Sequence, residues 1–302
     1  MVTKQIASAW LILGLLASTG AGAFAISPNV PVEFDFNTWD ASTVSYSVTQ
    51  PFPAAGTVLC TSGTACDTLA GQPGGIGSAP NAAMIAGLGY EDDWGIGNIQ
   101  AITSTATGDT LWQTSAGERL TAMFYGIVDN VVTFEGFDTS NNQKFAVRAL
   151  GGYVDLYIRP GDGVVLSGGP GARTGLNSYP TATDGTLFLR MAFGAGVIYG
   201  DYTHTFQNSF STGTVAGQGS GYLDVIGGAY AAMFNTNAIK DPNGGGHDFS
   251  FDLTVNAQGV PAAWTVRGQG QAVGETPIPG TLLLLGAGLA VLGGLRRPTV
   301  LT

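Results

Sequence analysis

The sequence predicts an all-β protein, an antiparallel β-sandwich or jelly-roll-like body built as one unit or as two β halves. An N-terminal signal helix precedes it and a short C-terminal hydrophobic helix follows it. Three observations predict this. Only 11 % of the 302 residues are charged, yet 15 Phe, 10 Tyr and 5 Trp supply a core, and 47 Gly with 14 Pro supply turns. Apolar and polar residues alternate with period two in window after window. No window carries a 3.6-residue apolar period of helical length with caps at its ends. A chain of this length buries roughly 70–75 % of its unfolded surface without needing staples.

In chain order, Lys4 opens a short positive region, Ala9 to Ala17 is an apolar run, and Ala23 and Ala25 place small residues three and one before a cut. That three-part layout predicts a secretory signal peptide over residues 1–25 and delivery to the Sec export machinery. A run of nine apolar residues is too short to cross a ~30 Å hydrocarbon core as an anchor.

The predicted body spans 26–275. Val32, Phe34 and Phe36 alternate with Glu33, Asp35 and Asn37, which gives a half-buried first strand. Further strands are expected at Ile96 to Ile102, Leu120 to Val128, Val131 to Phe137, Phe145 to Leu150, Tyr153 to Arg159, Thr186 to Phe193 and Tyr222 to Ile226. Phe249 to Val255 alternates as cleanly as the first strand, and Trp264 to Arg267 closes the series. Gly152-Tyr153-Val154-Asp155-Leu156 is echoed by Gly221-Tyr222-Leu223-Asp224-Val225. The echo suggests equivalent strands in two halves divided in the Gly/Pro/Ser-rich stretch near 167–183.

At the C-terminus Thr276-Pro277-Ile278-Pro279-Gly280 leads into fifteen mostly apolar residues, Thr281 to Leu295, and then Arg296 and Arg297. As a helix this span covers about 22 Å, short for a permanent membrane crossing but enough for a transient one, with the arginines holding the cytoplasmic side. The segment 276–302 resembles the PEP-CTERM sorting tails of Gram-negative bacteria: a Pro-x-Pro element, a Leu/Gly-rich span and terminal arginines. The usual Val-Pro-Glu-Pro stands here as Thr-Pro-Ile-Pro, as in variant signals where a hydrophobic residue replaces Glu. The resemblance implies transient insertion in the inner membrane, handover to an exosortase, and a cell-surface or extracellular-matrix destination in company with exopolysaccharide. It specifies an address and not an activity.

Charge narrows the partners. Removing both ends takes away Lys4, Arg296 and Arg297, leaving eight cations against 21 acids, a net charge of −13. Such a body repels nucleic acid and anionic membranes and stays soluble. Cys60 and Cys66 in an exported chain predict one local disulfide, worth about 2.4 kcal/mol by loop entropy. No cofactor is expected beyond a Ca²⁺ ion held in the oxygen-rich turn of Asp241, Asn243 and Asp248. That turn departs from an EF-hand, because Gly245 stands at position five and Asp252 replaces the longer Glu at twelve.

No Gly-x-Ser-x-Gly elbow, His-Glu-x-x-His helix or phosphate loop occurs, and the chain has just two histidines, His204 and His247. Glu91-Asp92-Asp93-Trp94 is the densest acidic-aromatic cluster, able to grip a sugar if the ring is exposed. Three function classes therefore stand. The first is a non-enzymatic surface or matrix protein. The second is a carbohydrate-binding module with Trp94, Trp112 or Trp264 exposed. The third is a glycoside hydrolase with two carboxylates facing each other in a groove.

Overall fold

The computed structural model describes residues 30–41, 57–60, 84–85, 89–91, 93–114, 117–211, 216–256, 264 and 266–276. The predicted signal peptide over 1–25, residues 277–302 of the predicted sorting tail with its expected helix 281–295, Cys66 and Asp92 lie outside them. Among the described residues no helix is long and apolar enough to cross a membrane.

The strands are β1 (Pro31–Asp40), β2 (Thr57–Cys60), β3 (Met84–Ile85), β4 (Gly89–Tyr90), β5 (Asp93–Ser104), β6 (Thr110–Gln113), β7 (Arg119–Phe137) and β8 (Gln143–Arg159). After them come β9 (Thr186–Gly194), β10 (Phe206–Ser211), β11 (Ala216–Gly227), β12 (Ile239–Lys240), β13 (Gly246–His247), β14 (Phe249–Asn256) and β15 (Val266–Glu275). One helical turn, α1 (Ala231–Phe234), follows β11. The expected all-β, antiparallel character stands. The sandwich does not: β8–β9–β11–β14–β15–β1–β5–β7 run in order and β7 pairs back onto β8, so the sheet closes into an eight-stranded barrel. Closure leaves no edge within this ring, whereas a sandwich would leave four.

Between β8 and β11 the ring is filled twice over. β9 pairs with Tyr153 to Ile158 of β8, while β10 pairs with Lys144 to Ala149 of the same strand, so two half-length strands lie end to end in one position. The echoed pentapeptides are the two neighbours of β9: Tyr153 pairs with Ala192 on one side and Asp224 with Ala192 on the other. On either side of the stretch 167–183, β8 and β9 are adjacent strands of one ring.

Inward positions alternate large and small across the ladders. Phe249 faces Gly274, Phe251 faces Gly221, Phe36 faces Gly270 and Phe124 faces Gly95 in register. A β-carbon at Gly221 would stand 2.7 Å from Phe251 Cε1, and one at Gly270 would stand 2.8 Å from Phe36 Cζ. Each ring lies over the backbone of its neighbour, which is how an eight-stranded interior accommodates so many phenylalanines. Phe234 of α1 is fully buried at the end where β1 and β14 begin, within 5.6 Å of Phe34 and 5.8 Å of Phe249 ring to ring. The outward face carries polar groups such as Glu33 and Asp35, which share the Gln271 amide. Apolar-in and polar-out is the reverse of the alternation in a transmembrane barrel.

A second core lies outside the barrel. The segment from 160 to 185, between β8 and β9, folds back as a strap over the outer faces of β5 and β7, burying Trp94, Ile96, Met123 and Tyr125 under Tyr179, Ala182 and Trp264. Trp264 Nε1 donates to the Leu166 carbonyl at 3.2 Å and Thr121 Oγ1 to the Ala182 carbonyl at 2.6 Å. Backbone groups of a loop that packs this tightly need such partners.

Candidate functional site

The sequence-predicted residues are placed one group at a time. Glu91 is 1 % exposed and forms a bidentate pair with the fully buried Arg173 of the strap, while the Gly126 amide donates to its Oε1 at 2.6 Å. Burial pushes the Glu91 carboxyl above its ordinary range even against the Arg173 guanidinium. Trp94 is buried beneath the same arginine, whose guanidinium carbon sits 4.3 Å from the ring centroid, and it packs edge-on against Trp264 at 5.6 Å. These residues do come together, but as a latch between barrel and strap rather than as a sugar platform. Trp112, half-buried, donates from Nε1 to Glu118 Oε1 at 3.1 Å.

The calcium candidates do not converge. Asp241 Oδ1 accepts from the amides of Asn243 and Gly245, and the Asn243 side-chain amide donates to the carbonyls of Ile198 and Asp201. Asp248 is 1 % exposed and turned the other way, accepting the amides of Val225 at 2.6 Å and Asn237 at 2.7 Å. Asn243 thus ties the turn to the loop around Ile198 to Asp201, and Asp248 ties β11 to the segment that follows α1. Among the described residues no group of three or more His, Cys, Asp or Glu is placed to hold a metal ion.

Both histidines are tied to carboxylates. His247 lies between Asp224, 2.9 Å from Nδ1, and Asp241, 3.2 Å from Nε2, and stacks on Tyr222 at 4.8 Å. With each ring nitrogen on a carboxylate, neither is left to take a proton from a hydroxyl nucleophile. Burial raises the Asp241 carboxyl, but hydrogen bonds from His247, Gly245 and Asn243 more than offset it and hold it below the ordinary range. His204 is paired through Nδ1 alone with Asp201. Cys60 ends β2, which pairs with β7, and its predicted partner Cys66 is outside the described residues.

The site that sequence reasoning missed is the barrel interior. A cavity of about 160 Å³ runs within the ring, lined by Phe36, Phe124, Met191, Phe206, Phe251 and other apolar side chains. Its polar lining residues are Asn37, Thr38, Asp40, Asp93, Asp129 and Asn208. Asp40 ends β1 and Asp93 begins β5, so the two carboxyls meet at the end of the barrel opposite Phe234. Burial drives the Asp40 carboxyl well above the usual carboxylate range, the charge of Asp93 adds to this, and a hydrogen bond with Thr38 opposes it. Asn208 Oδ1 is shut off from solvent with no hydrogen-bond partner. The signal available in the sequence was weak: Asp93 lies in the acidic cluster, but nothing local shows that it faces inward beside Asp40.

A raised folded value means that the native state binds the Asp40 proton more tightly than the unfolded chain does. This contribution to stability therefore falls as pH rises from about 4 toward the folded value. Asp40→Asn is expected to melt several degrees above the wild type at neutral pH and to lose that pH dependence. Thermal melts at a series of pH values check this, and equal melting temperatures at neutral pH would refute it.

Comparison of the chain with protein-family models, with curated proteins and with solved structures finds no match.

Proposed function

We propose that this is an exported, non-enzymatic protein of the cell surface or extracellular matrix, processed at its tail by an exosortase and associated with exopolysaccharide. The observation that carries the reading is the C-terminal series Pro277-Ile278-Pro279, the apolar span 281–295 and Arg296-Arg297, set at the far end of the chain from a signal-peptide layout ending at Ala23 and Ala25. The barrel supports it by how it uses its reactive side chains. The acid and tryptophan best suited to a sugar, Glu91 and Trp94, are spent on the strap, and the ring nitrogens of His247 are spent on Asp224 and Asp241. A closed ring with polar outward residues and a net charge of −13 suits a protein that must persist outside the cell without edge-to-edge aggregation.

Intact mass and location of the protein, in cells with and without the exosortase, test the proposal. Wild type is expected outside the cell, shortened by roughly 25 residues at each end. A Pro277→Ala/Pro279→Ala double variant is expected in the inner membrane at higher mass. A tail that persists in every fraction would overturn the sorting step and with it the matrix assignment.

A further inference from the structure

We propose that the barrel interior binds a small neutral aromatic molecule of the phenol class, its ring among the lumen phenylalanines and its hydroxyl donating to Asn208 Oδ1. The polar anchor comes from the local pattern of β10. Phe206 and Phe210 are buried, and residues two apart on a strand share a face, so Asn208 between them turns inward as well and lines the cavity. Its neighbour Gln207 points the other way and donates from Nε2 to Ser220 Oγ at 3.0 Å. Packing alone does not ask for an amide between two inward phenylalanines. Asn208 Oδ1 is shut off from solvent, and no group among the described residues donates to it. A buried acceptor left unpaired is a cost to stability that a donor from a ligand removes.

Size limits the rest of the ligand. A dry apolar cavity of about 150 Å³ lined by Leu, Ile and Phe holds a benzene ring. The lumen measures about 160 Å³, and most of its lining is aliphatic or aromatic. One six-membered ring with a single small substituent fits, whereas a long acyl chain or a fused polycycle exceeds the space. Phe206 and Phe251 lie 6.0 Å apart ring to ring and Phe193 meets Phe251 edge-on at 5.5 Å, so an incoming ring joins an existing aromatic cluster. Open apolar volume inside a core destabilises the fold, and a ligand that fills it stabilises the native state.

Charge excludes the ionic alternatives. No Lys, Arg or His is among the residues around the cavity, so a carboxylate or phosphate would give up its hydration and meet no cation. Asp40, Asp93 and Asp129 also line the cavity, but each is already engaged within the protein, so they do not call for an ammonium group from outside. The need at Asn208 Oδ1 is for one donor, and a neutral O–H supplies it without bringing a charge into the lumen. A hydrocarbon of the same size would fill the space and leave this acceptor unserved.

The experiment titrates the purified exported protein calorimetrically with phenol, with toluene, which carries a methyl group in place of the hydroxyl, and with the anionic benzoate. Phenol and toluene are expected to bind and benzoate not to bind measurably. In Asn208→Val the affinity for phenol is expected to fall at least about tenfold, while toluene stays within about threefold of its wild-type affinity and so reports an intact cavity. A measurement on the wild type alone keeps the assignment independent of how the variant folds. Val147 of β8 is the register partner of Asn208 and lines the same cavity, so the ring protons of bound phenol are expected to show nuclear Overhauser contacts to its methyl groups. Phenol binding unchanged by Asn208→Val, benzoate binding as tightly as phenol, no binding of either neutral probe, or contacts only to outward-facing residues would overturn the proposal. None of these results bears on tail processing, which is read by mass and location.

Discussion

Arg173→Ala is expected to lower the unfolding free energy by about 3–5 kcal/mol, because it leaves the carboxylate of Glu91 buried without its cation. The arginine also donates from Nε to the Gly175 carbonyl at 3.0 Å and from the guanidinium to the Leu176 carbonyl, so one side chain anchors both the strap backbone and the barrel wall. Its loss should loosen the whole strap and expose Trp94 and Trp264 to water, seen as a red shift of tryptophan emission before the barrel itself melts. For a domain of this size the melting temperature should fall by roughly 8–15 °C. Replacing both partners, as Glu91→Gln with Arg173→Met, should cost clearly less than the two single changes added together, since no orphaned charge remains. A single Arg173→Ala variant that melts within about 2 °C of the wild type would show that the latch contributes nothing measurable.

The second large effect concerns the paired phenylalanines and glycines. Replacing glycine by alanine in a regular element usually helps, by about 0.4–1 kcal/mol through the unfolded chain. Gly221→Ala should do the opposite here and cost about 1–3 kcal/mol, because the new methyl group meets Phe251 at 2.7 Å and the Thr205 carbonyl oxygen at 3.1 Å. The Phe251 ring lies 5.5 Å from Phe193 and 6.0 Å from Phe206 ring to ring, so moving away from the new methyl group disturbs an aromatic cluster. Phe251→Leu removes the ring atoms that clash, and the double variant should be more stable than the sum of its parts by about 1 kcal/mol. Chemical denaturation of the four proteins measures this. Strict additivity would mean that the ring and the glycine do not constrain each other.

Much of the strand content was legible because it obeys a two-residue period. β1 and β14 carry their own inward phenylalanines at Phe34, Phe36, Phe249 and Phe251, and each reads as a half-buried strand without help from any neighbour. β7 and β8 were legible too, but each as two strands. In β7 the interruption is a register shift between Asp129 and Val131, and in β8 it is the Gly151-Gly152 pair at positive φ, so a break in the pattern was a bend within one strand. β15 and the first half of β11 were not legible, and the reason is specific. Their inward residues are Gly268, Gly270, Ala272 and Gly274 in one and Gly217, Gly219 and Gly221 in the other, and the apolar atoms that fill those places belong to β1, β10 and β14. A strand that borrows its core from its neighbours carries no alternation of its own.

Residue chemistry divides in the same way. The sequence by itself determined the antiparallel β class, the acidic body and the layout of the two ends, because composition, period and the placement of short apolar runs are local properties. Only the tertiary structure decided that the sheet closes, since closure rests on β7 pairing with β8 and on β9 and β10 sharing one gap, contacts between segments whose register no local pattern encodes. The structure likewise decided what each acid does. Glu91 and Asp93 are two residues apart in one strand-rich segment, yet one is locked to Arg173 outside the barrel and the other faces Asp40 within it. The placement of a bulge and the curvature of a closed sheet set which face each residue occupies, and those are properties of the assembled ring.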